Sequence, residues 1–499
     1  MQLFVRGALA LLLMLAAAAG GLAQGRGAAE KSQAARQAME AGRFDEAAGL
    51  YRTLLEGLPD EPGLLMNLGM ALAMGGHDAE AIAPLERAVA ARPALIPASL
   101  FLGSSYLALG RSSDAVAPLK RVAAAKPADV ESRRLLAQAY ADTGRVDEAV
   151  AALRDVTRIT PAAPQGWYAL GHAYNALTQD AMATFAQEPE DSPWRQLLVA
   201  DALLADGRLT DSFALQRAAL ERLPAMVSIH DSLARIYELS KHADWAAAER
   251  AKGGLTPVAC ARRRALCQFR AGRYLAALTA TMAGADLESR YWRVRAATEL
   301  ALASFKRLDR LPDSRERREV HATLALGQRR YTDAIAELKA ALGFAKDDPN
   351  LLDDLATAYY SAHDYEQAAA TLRPLVAAHP DDARLLTLLG DSLLQLQQPE
   401  AAIPFLQRAV SRDPADPMPS LSLGRAYVLK GDFAAAIPLL EARLSADTDG
   451  SLHVQLARAY SGSGQKDKAQ ALLEQSQALQ RAAQERAAAT AERIIEAPK

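Results

Sequence analysis

Residues 130–161 read VESRRLLAQAYADTGRVDEAVAALRDVTRITP, and this stretch decides the fold. In its first half, Leu136, Ala137 and Tyr140 are spaced i, i+1 and i+4, which places them on one face of a helix. Gly144 follows as a stop, because glycine readily takes the left-handed conformation that releases the chain from a helix. This half therefore predicts an amphipathic helix that ends in a tight turn.

The second half predicts another helix, packed against the first. Asp147 and Glu148 lie where the positive end of the helix dipole favours acidic side chains. Ala149 is small, as the crossing of two helices requires, and Leu153 continues the buried stripe. Pro161 ends the unit because proline cannot continue a helix interior. The unit is a helix–turn–helix hairpin whose two helices have about a dozen residues each.

The same hairpin recurs along the chain at a constant spacing of 34 residues, as from Pro127 to Pro161. We call this spacing the repeat step. The step separates Pro59, Pro93, Pro127 and Pro161; Ala47, Ala81, Ala115 and Ala149; Gly76, Gly110 and Gly144; and, later, Ala334, Ala368, Ala402 and Ala436. One hairpin cannot cover its own apolar face, so neighbouring hairpins must stack on it. The β-branched runs that buried strands need are absent. The sequence predicts an all-α solenoid of stacked hairpins.

One unit contains the motif W-x2-L-G-x2-Y, from Trp167 through Leu170 and Gly171 to Tyr174. The motif resembles that of the tetratricopeptide-repeat family, and partial forms recur at Leu102–Tyr106, Leu355–Tyr359, Leu423–Tyr427 and Leu456–Tyr460. The resemblance extends from about Ala28 to Gln475, in some 13 or 14 units. It implies a right-handed superhelix in which the first helices of successive units line a concave groove that holds a peptide or partner protein.

The middle of the chain departs from the repeat step, which predicts a division into parts. Residues 187–193 break the second helix of the Trp167 unit early, and residues 291–308 read as one long helix without a glycine stop. The predicted parts are a signal peptide (1–23), an N-terminal repeat array (24–190), irregular helical repeats (191–312), a C-terminal repeat array (313–475) and a charged capping helix and tail (476–499).

The first residues have the pattern of a secretory signal. Arg6 precedes an uncharged Leu/Ala core, and small residues at Gly21 and Ala23 stand before Gln24 as a cleavage site. The alternative is an uncleaved anchor, since residues 7–23 reach the lower limit of about 17 residues for a membrane span. Either way we expect an exported protein, in a bacterial periplasm or beyond.

The chain has two cysteines, Cys260 and Cys267. On one continuous helix their Cα atoms would be roughly 10 Å apart, too far for a disulfide. We therefore expect both to be small buried residues and the stability of the protein to come from helix packing.

The sequence offers no catalytic constellation. The H-E-x-x-H, G-x-S-x-G and G-x4-G-K-[ST] motifs are absent, and the cysteines have no partner at zinc-like spacing. We therefore expect neither an enzyme nor a cofactor or metal. With 57 basic against 59 acidic residues the chain is no polycation, and export also disfavours nucleic acid as a partner.

The groove that the resemblance implies would be lined by first-helix residues at i, i+4 and i+7 that stacking does not use. The candidates are Met66, Met70, Met74, Leu100, Ser104, Leu107, Arg134, Gln138, Tyr168, His172 and Asn175. Methionine and tyrosine on such a face suit adaptable recognition of apolar peptide groups. The alternative is that the three methionines pack against a neighbouring helix.

A second candidate surface is basic. Residues 258–330 contain 16 basic and 7 acidic residues. Its densest part is the basic patch Arg262, Arg263, Arg264, Arg270 and Arg273. Such a patch could hold an acidic protein, an acidic polysaccharide or anionic headgroups, and the alternative is a solvated face.

These observations favour a non-enzymatic scaffold that binds a peptide or partner protein outside the cytoplasm. The alternative is a structural or assembly component of an envelope complex that exports surface proteins or polysaccharide, an analogy with other exported members of the family. An enzyme would need a hidden catalytic domain, for which only residues 255–315 leave room.

Overall fold

The computed structural model describes residues 26–282, 284, 286–491 and 495–498. In this part of the chain the regular structure consists of 27 α-helices and one short 3₁₀-helix, Leu444–Ala446, without a β-strand. The prediction of an all-α solenoid built from consecutive helical hairpins is confirmed. The predicted signal peptide lies outside the described residues.

The chain forms two compact units. Unit 1 contains the residues up to Met182 together with Arg293–Leu311, and unit 2 contains Ala183–Trp292 together with the residues from Pro312 onward. In sequence, 183–292 is therefore an insertion into unit 1. The division of the repeats predicted from the sequence stays a prediction.

Unit 1 begins with four regular hairpins. Its helices are α1 (Arg26–Glu40), α2 (Phe44–Gly57), α3 (Pro62–Met74), α4 (Asp78–Ala91), α5 (Ile96–Ala108), α6 (Ser112–Ala125), α7 (Val130–Asp142), α8 (Val146–Ile159) and most of α9 (Pro164–Ala186). The stretch Arg293–Leu311 adds most of α17 (Leu287–Asp309).

Unit 2 contains the irregular hairpins and the second regular array. The inserted helices are α10 (Pro193–Ala205), α11 (Leu209–Arg222), α12 (Ser228–Leu239), α13 (Ala243–Lys252), α14 (Pro257–Arg262), α15 (Arg264–Arg270) and α16 (Tyr274–Thr281). The later helices are α18 (Arg315–Gly327), α19 (Tyr331–Leu342), α20 (Pro349–Ser361), α21 (Tyr365–Ala378), α22 (Ala383–Gln395), α23 (Pro399–Arg412), α24 (Pro417–Lys430), α25 (Phe433–Glu441), α26 (Ser451–Gly462) and α27 (Lys466–Ala491).

The turn inside each hairpin is left-handed, as predicted for Gly144, which has φ of 71°. The same position in other units carries glycine, such as Gly110, or a residue that tolerates positive φ less well, such as His363 and Gln397. The turn is therefore imposed by the packing of the two helices, and glycine only makes it easier.

The two helices of a regular hairpin touch through a glycine on the first helix and a leucine on the second. A Cβ atom added at Gly69, Gly103, Gly390 or Gly424 would lie 2.3 to 2.7 Å from a carbon of the facing leucine, Leu85, Leu119, Leu406 or Leu440. Ala149, one of the alanines predicted at the crossing, is 1 % exposed. Helix backbones approach this closely only where the side chain is missing or minimal.

The unit opened by Trp167 has a different second helix from the one predicted. Thr178 occupies the turn position, one repeat step after Gly144, and α9 continues through it without a break to Ala186. The predicted early break at residues 187–193 is present, since the helix ends at Ala186, but the part before the break is joined to the first helix because no glycine stops α9 at the usual place.

Residues 293–309 of α17, the predicted long helix, take the place of that second helix. A Cβ atom at Gly171 would lie 2.4 Å from a ring carbon of Phe305, so Phe305 fills the place that leucine fills elsewhere. Arg293 donates to Asp147 at 2.6 Å. The repeat opened by α9 is therefore completed by a helix that lies far later in the sequence.

The predicted C-terminal cap is part of a longer helix. The last repeat's second helix continues without a break from Lys466 to Ala491. Residues 495–498 are not helical. Along the described part of the chain, no helix combines the length and the hydropathy that crossing a bilayer requires.

The expectation that Cys260 and Cys267 are separate buried thiols is wrong, since they form a disulfide and both are partly exposed. Their Cα atoms are 5.5 Å apart. This is possible because the helix is interrupted at Arg263, where φ is −113° and ψ is 59°, so that α14 and α15 are separate short helices. The assumption of one continuous helix caused the error.

We predict that Gly171→Ala weakens the packing of α9 on α17 by about 1–3 kcal/mol, because the added methyl overlaps Phe305. Helix propensity alone would favour alanine by about 1 kcal/mol. Residue-resolved amide hydrogen exchange in α9 measures the local stability. The matched control is Gly49→Ala in α2, where a Cβ meets no atom within 4 Å. Exchange in α9 as slow in Gly171→Ala as in the control would contradict the assignment of α17.

We predict that the paired change Cys260→Ser, Cys267→Ser lets α14 and α15 join into one helix. A continuous helix would hold the two Cα atoms about 10 Å apart, so the disulfide and the unbroken helix exclude each other. The amides of residues 264–266 lie in the first turn of α15, where helix amides lack a partner in their own helix. Their exchange should slow at least about tenfold, while amides 137–139 of α7 stay unchanged. Unaltered exchange at 264–266 would show that the break persists without the disulfide.

Candidate partner-binding surfaces

Side chains on successive first helices lie one repeat step apart and form rows. The row in unit 1 consists of the predicted groove residues, from Met66 on α3 to Asn175 on α9, and its first members lie in the hydrophobic core. Met66 and Met70 on α3 are 8 % and 6 % exposed and belong to the hydrophobic core of unit 1, and Met74 packs against it half-buried. For Met66 and Met70 the structure thus shows the packing that was the alternative to a groove. The accessible part of this row therefore begins after α3.

The middle of the row is accessible. On α5, Leu100, Ser104 and Leu107 are half-buried, and on α7, Arg134 and Gln138 are exposed. Arg134 donates to Glu131 at 2.7 Å, and this hydrogen bond raises the pKa of the guanidinium. Both members of the pair are on α7, and the exposed Gln138 lies one helical turn after Arg134 on the same face.

The end of the row is next to α17. Tyr168 and His172 on α9 have ring centroids 4.3 Å apart, and His172 lies edge-on to Phe305 at 5.5 Å. Arg307 lies over the Trp167 ring at 6.0 Å. Tyr168 is half-buried, while His172 and Asn175 are exposed. The replacement of the second helix by α17 therefore brings α17 side chains up to the predicted groove residues of α9.

A corresponding row in unit 2 was not singled out from the sequence. Its members are Thr357 on α20, Asp391 on α22 and Arg425 on α24, each one repeat step after the one before, and all three are half-buried. The step that relates Ser104 to Gln138 is the signal that could have found them. Charged residues at these places are informative because no packing role requires a charge there.

Asp391 and Arg425 form the centre of this second row. The pKa of Asp391 is raised by burial, although a hydrogen bond from Ser422 and the charge of Arg425 oppose the shift. Burial, reinforced by the Asp391 carboxylate, raises the pKa of Tyr360 to about 12. Arg425 Nε is buried and has no hydrogen-bond partner among the described residues. The row therefore holds a donor that protein contacts leave unused.

A second pair of charges flanks the same row. Arg384 on α22 donates to Asp353 on α20. The other carboxylate oxygen of Asp353 is buried and has no hydrogen-bond partner in the described part of the chain. Burial and the Asp353 charge raise the pKa of the neighbouring Asp354. An acceptor thus lies on α20 and a donor on α24, at opposite ends of the row.

Three of the five residues of the predicted basic patch are engaged in contacts within the chain. Arg270 donates to Gly253 O at 2.6 Å and to Asp231 at 2.8 Å. Arg263 lies 3.7 Å from Glu288, and Arg273 donates to the Gln268 side chain at 2.6 Å.

The other two, Arg262 and Arg264, are exposed on either side of the helix break and have no ion-pair partner within the described residues. Within the basic patch, Arg262 and Arg264 are therefore the two residues available to bind an acidic ligand.

The described residues contain no group of three or more His, Cys, Asp or Glu side chains that could hold a metal ion. The two rows are extended lines of side chains on separate helices. Such a line suits many weak contacts with an extended partner.

Comparison with known proteins agrees with this geometry. Models of the family described as tetratricopeptide repeat match residues 32–96, 102–164 and 354–417, and further such models match 393–453 and 450–482. Together these stretches cover just over half of the chain. They include α3, α7, α22 and α24 and most of α5 and α20, whereas α9 lies beyond them except for Pro164. No curated protein matches the sequence.

Solved structures with local similarity include several titled MamA. One, "MamA MSR-1 C2", is 24 % identical with a TM-score of 0.28 and covers 30 % of this chain and 85 % of its own. "MamA 41-end from Desulfovibrio magneticus RS-1" is 22 % identical with a TM-score of 0.29, covering 34 % and 100 %. "Crystal structure of MamA protein" is 19 % identical with a TM-score of 0.30, covering 40 % and 94 %. With its regularly spaced hairpins and the family matches along both arrays, the chain belongs to the tetratricopeptide-repeat family, whose stacked hairpins serve as scaffolds for protein–protein interaction.

Proposed function

We propose that the protein is a non-enzymatic scaffold outside the cytoplasm, and that it binds a peptide or a partner protein along the rows on its first helices. One observation carries this proposal. Residues at stacking positions are almost fully buried, with Ala115 0 % and Ala149 1 % exposed. At the row positions, Ser104 is half-buried and Gln138 is exposed. From α5 to α9, side chains that packing leaves partly or fully accessible recur at the repeat step and form a line for a partner.

The two rows differ in the partner groups they suit. In unit 1, the half-buried Leu100, Ser104 and Leu107 and the exposed Gln138 offer both apolar and polar groups, a mixture that suits an extended peptide. In unit 2, the half-buried Asp391 and Arg425 suit a partner that brings polar or charged groups of its own.

A second candidate ligand is acidic and would bind at Arg262 and Arg264. The observation that favours it is that both guanidiniums are exposed and lack a partner among the described residues. Exposed guanidiniums suit the carboxylates or phosphates of an acidic protein, a polysaccharide or a lipid headgroup. A role in assembling an envelope complex would use the same two kinds of surface.

The location outside the cytoplasm is supported by two features. The signal pattern of residues 1–23 is one, and the Cys260–Cys267 disulfide is the other. Disulfides persist in oxidising compartments such as the periplasm and are rare in the cytosol.

We predict that a photo-reactive amino acid placed at Gln138 captures a partner protein in the intact envelope. Gln138 is exposed on the proposed row, so a partner lying along α5 and α7 would be within reach. The adduct would be isolated and identified by mass spectrometry, and Gln138→Arg should weaken the binding by about 1–2 kcal/mol.

The matched control carries the same amino acid at Lys120, which is exposed on the second helix α6. Capture of the same protein from Lys120 with equal yield would argue against the row. Subunits of a membrane complex among the Gln138 adducts would favour the envelope-assembly role.

We predict that the mature protein begins at Gln24. Small residues at Gly21 and Ala23 suit the cleavage site of a signal peptidase. N-terminal sequencing of the protein from the envelope fraction tests this. Intact residues 1–23 on protein in the membrane fraction would instead support the anchored alternative, and intact residues on cytosolic protein would contradict export.

A further inference from the structure

Residues 495–498, which follow α27, lie on helix α12 in the same unit. The Tyr237 hydroxyl donates a hydrogen bond to the backbone carbonyl of Glu496 at 2.9 Å, although the two residues are far apart in sequence. Ile495 and Pro498 are half-buried, while Glu496 and Ala497 are exposed. A non-helical segment with two covered ends and an engaged carbonyl has the features of a docked extended peptide.

Tyr237 occupies a repeat position at which two other tyrosines donate to a glutamate of the preceding helix. Tyr106 donates to Glu86 and Tyr460 donates to Glu441, residues 20 and 19 positions earlier in the chain. The corresponding residue before Tyr237 is Arg217, and a guanidinium cannot accept a hydrogen bond.

The Tyr237 side chain is 0 % exposed, so an unpaired hydroxyl would cost about 1–3 kcal/mol. The Glu496 carbonyl supplies the acceptor that the preceding helix lacks.

The surroundings of Tyr237 suit the side chains of the same segment. Its ring lies 5.9 Å from Phe213 of α11 and 5.7 Å, edge-on, from Trp245 of α13, and Trp245 stacks on His242 at 4.1 Å. Aromatic rings from neighbouring helices are the surfaces on which proline and aliphatic groups of extended peptides pack. Burial raises the pKa of Tyr237, the charges of Glu249 and Glu496 add to the rise, and the charge of Arg217 opposes it.

We propose that the face of α12 around Tyr237 is a docking site for an extended peptide, and that the chain occupies it with its own residues 495–498. The ligand class is an apolar–acidic–small–proline peptide, as in Ile495-Glu496-Ala497-Pro498. The site differs from the two rows of the first helices, so this proposal stands whether or not the rows bind a partner. A competing peptide gains access only when residues 495–498 leave.

The first test places a photo-reactive amino acid at Ala497 of the full chain. Adducts are expected within one molecule, on residues 209–252. Tyr237→Phe, which keeps the ring and removes the donor, should lower their yield at least about threefold.

Tyr174→Phe is the matched control, because Tyr174 holds the same repeat position, also has an arginine, Arg154, at the corresponding earlier place, and lies in unit 1. Adducts on other helices, equal loss in both variants, or adducts mainly between two molecules would overturn occupation by the same chain.

The second test asks whether the site accepts a peptide in trans. A labelled peptide of residues 492–499, Glu-Arg-Ile-Ile-Glu-Ala-Pro-Lys, is titrated by fluorescence polarisation against the full chain and against a chain that ends at Ala491. The shortened chain should bind at least about tenfold more tightly, since a tethered segment competes at an effective concentration of about 1 mM. Equal binding by the two chains, or no binding by the shortened chain at about 1 mM, would overturn the proposal.

Discussion

The structure depends on one contact, the close approach of two helices at a position where a side chain is missing or minimal. In the regular hairpins a glycine on the first helix lies against a leucine on the second, as in Gly103 and Leu119. Alanines at the crossing, such as Ala115, are fully buried. This spacing allows each hairpin to expose an even apolar face to the next, and stacking then buries the faces in succession. The short distance between the two helices of a hairpin explains why Ala, Gly and Leu recur at the same positions of the repeats.

The same contact explains how the chain tolerates a large insertion. The first helix α9 needs a partner against Gly171, and a ring from α17 meets that need as leucine does elsewhere. The partner does not have to be adjacent in sequence, because packing depends on the surface presented and not on the chain connection. The insertion 183–292 can then form hairpins of its own within unit 2. Its irregularity is tolerated where the regular repeat step is not needed to complete unit 1.

In this fold, the side chains available for binding a partner are those that the stacking of the hairpins does not bury. Met70 is consumed by the core, whereas Gln138, at the equivalent place two repeats later, faces solvent. In unit 2 the equivalent row carries the charged residues Asp391 and Arg425, and Asp391 accepts a hydrogen bond from Ser422 of α24. Two kinds of intrachain contact limit these surfaces further: α17 side chains beside Tyr168 and His172, and residues 495–498 on α12. The partner-binding capacity of the scaffold is therefore set as much by its own irregular segments as by its repeats.

The helical hairpin, its constant repeat step, the left-handed turn at Gly144 and the burial of Ala149 could be predicted from the sequence, because they follow from interactions between residues close in the chain. The sequence also predicted the long helix at 291–308. Only the tertiary structure decided which helix completes the α9 hairpin, which row residues are buried, and that Cys260 and Cys267 are joined across a helix break. Each of these depends on surfaces brought together from distant or interrupted segments, and local spacing carries no information about such meetings. The predicted separation of the two cysteines was wrong because the helix between them is interrupted at Arg263.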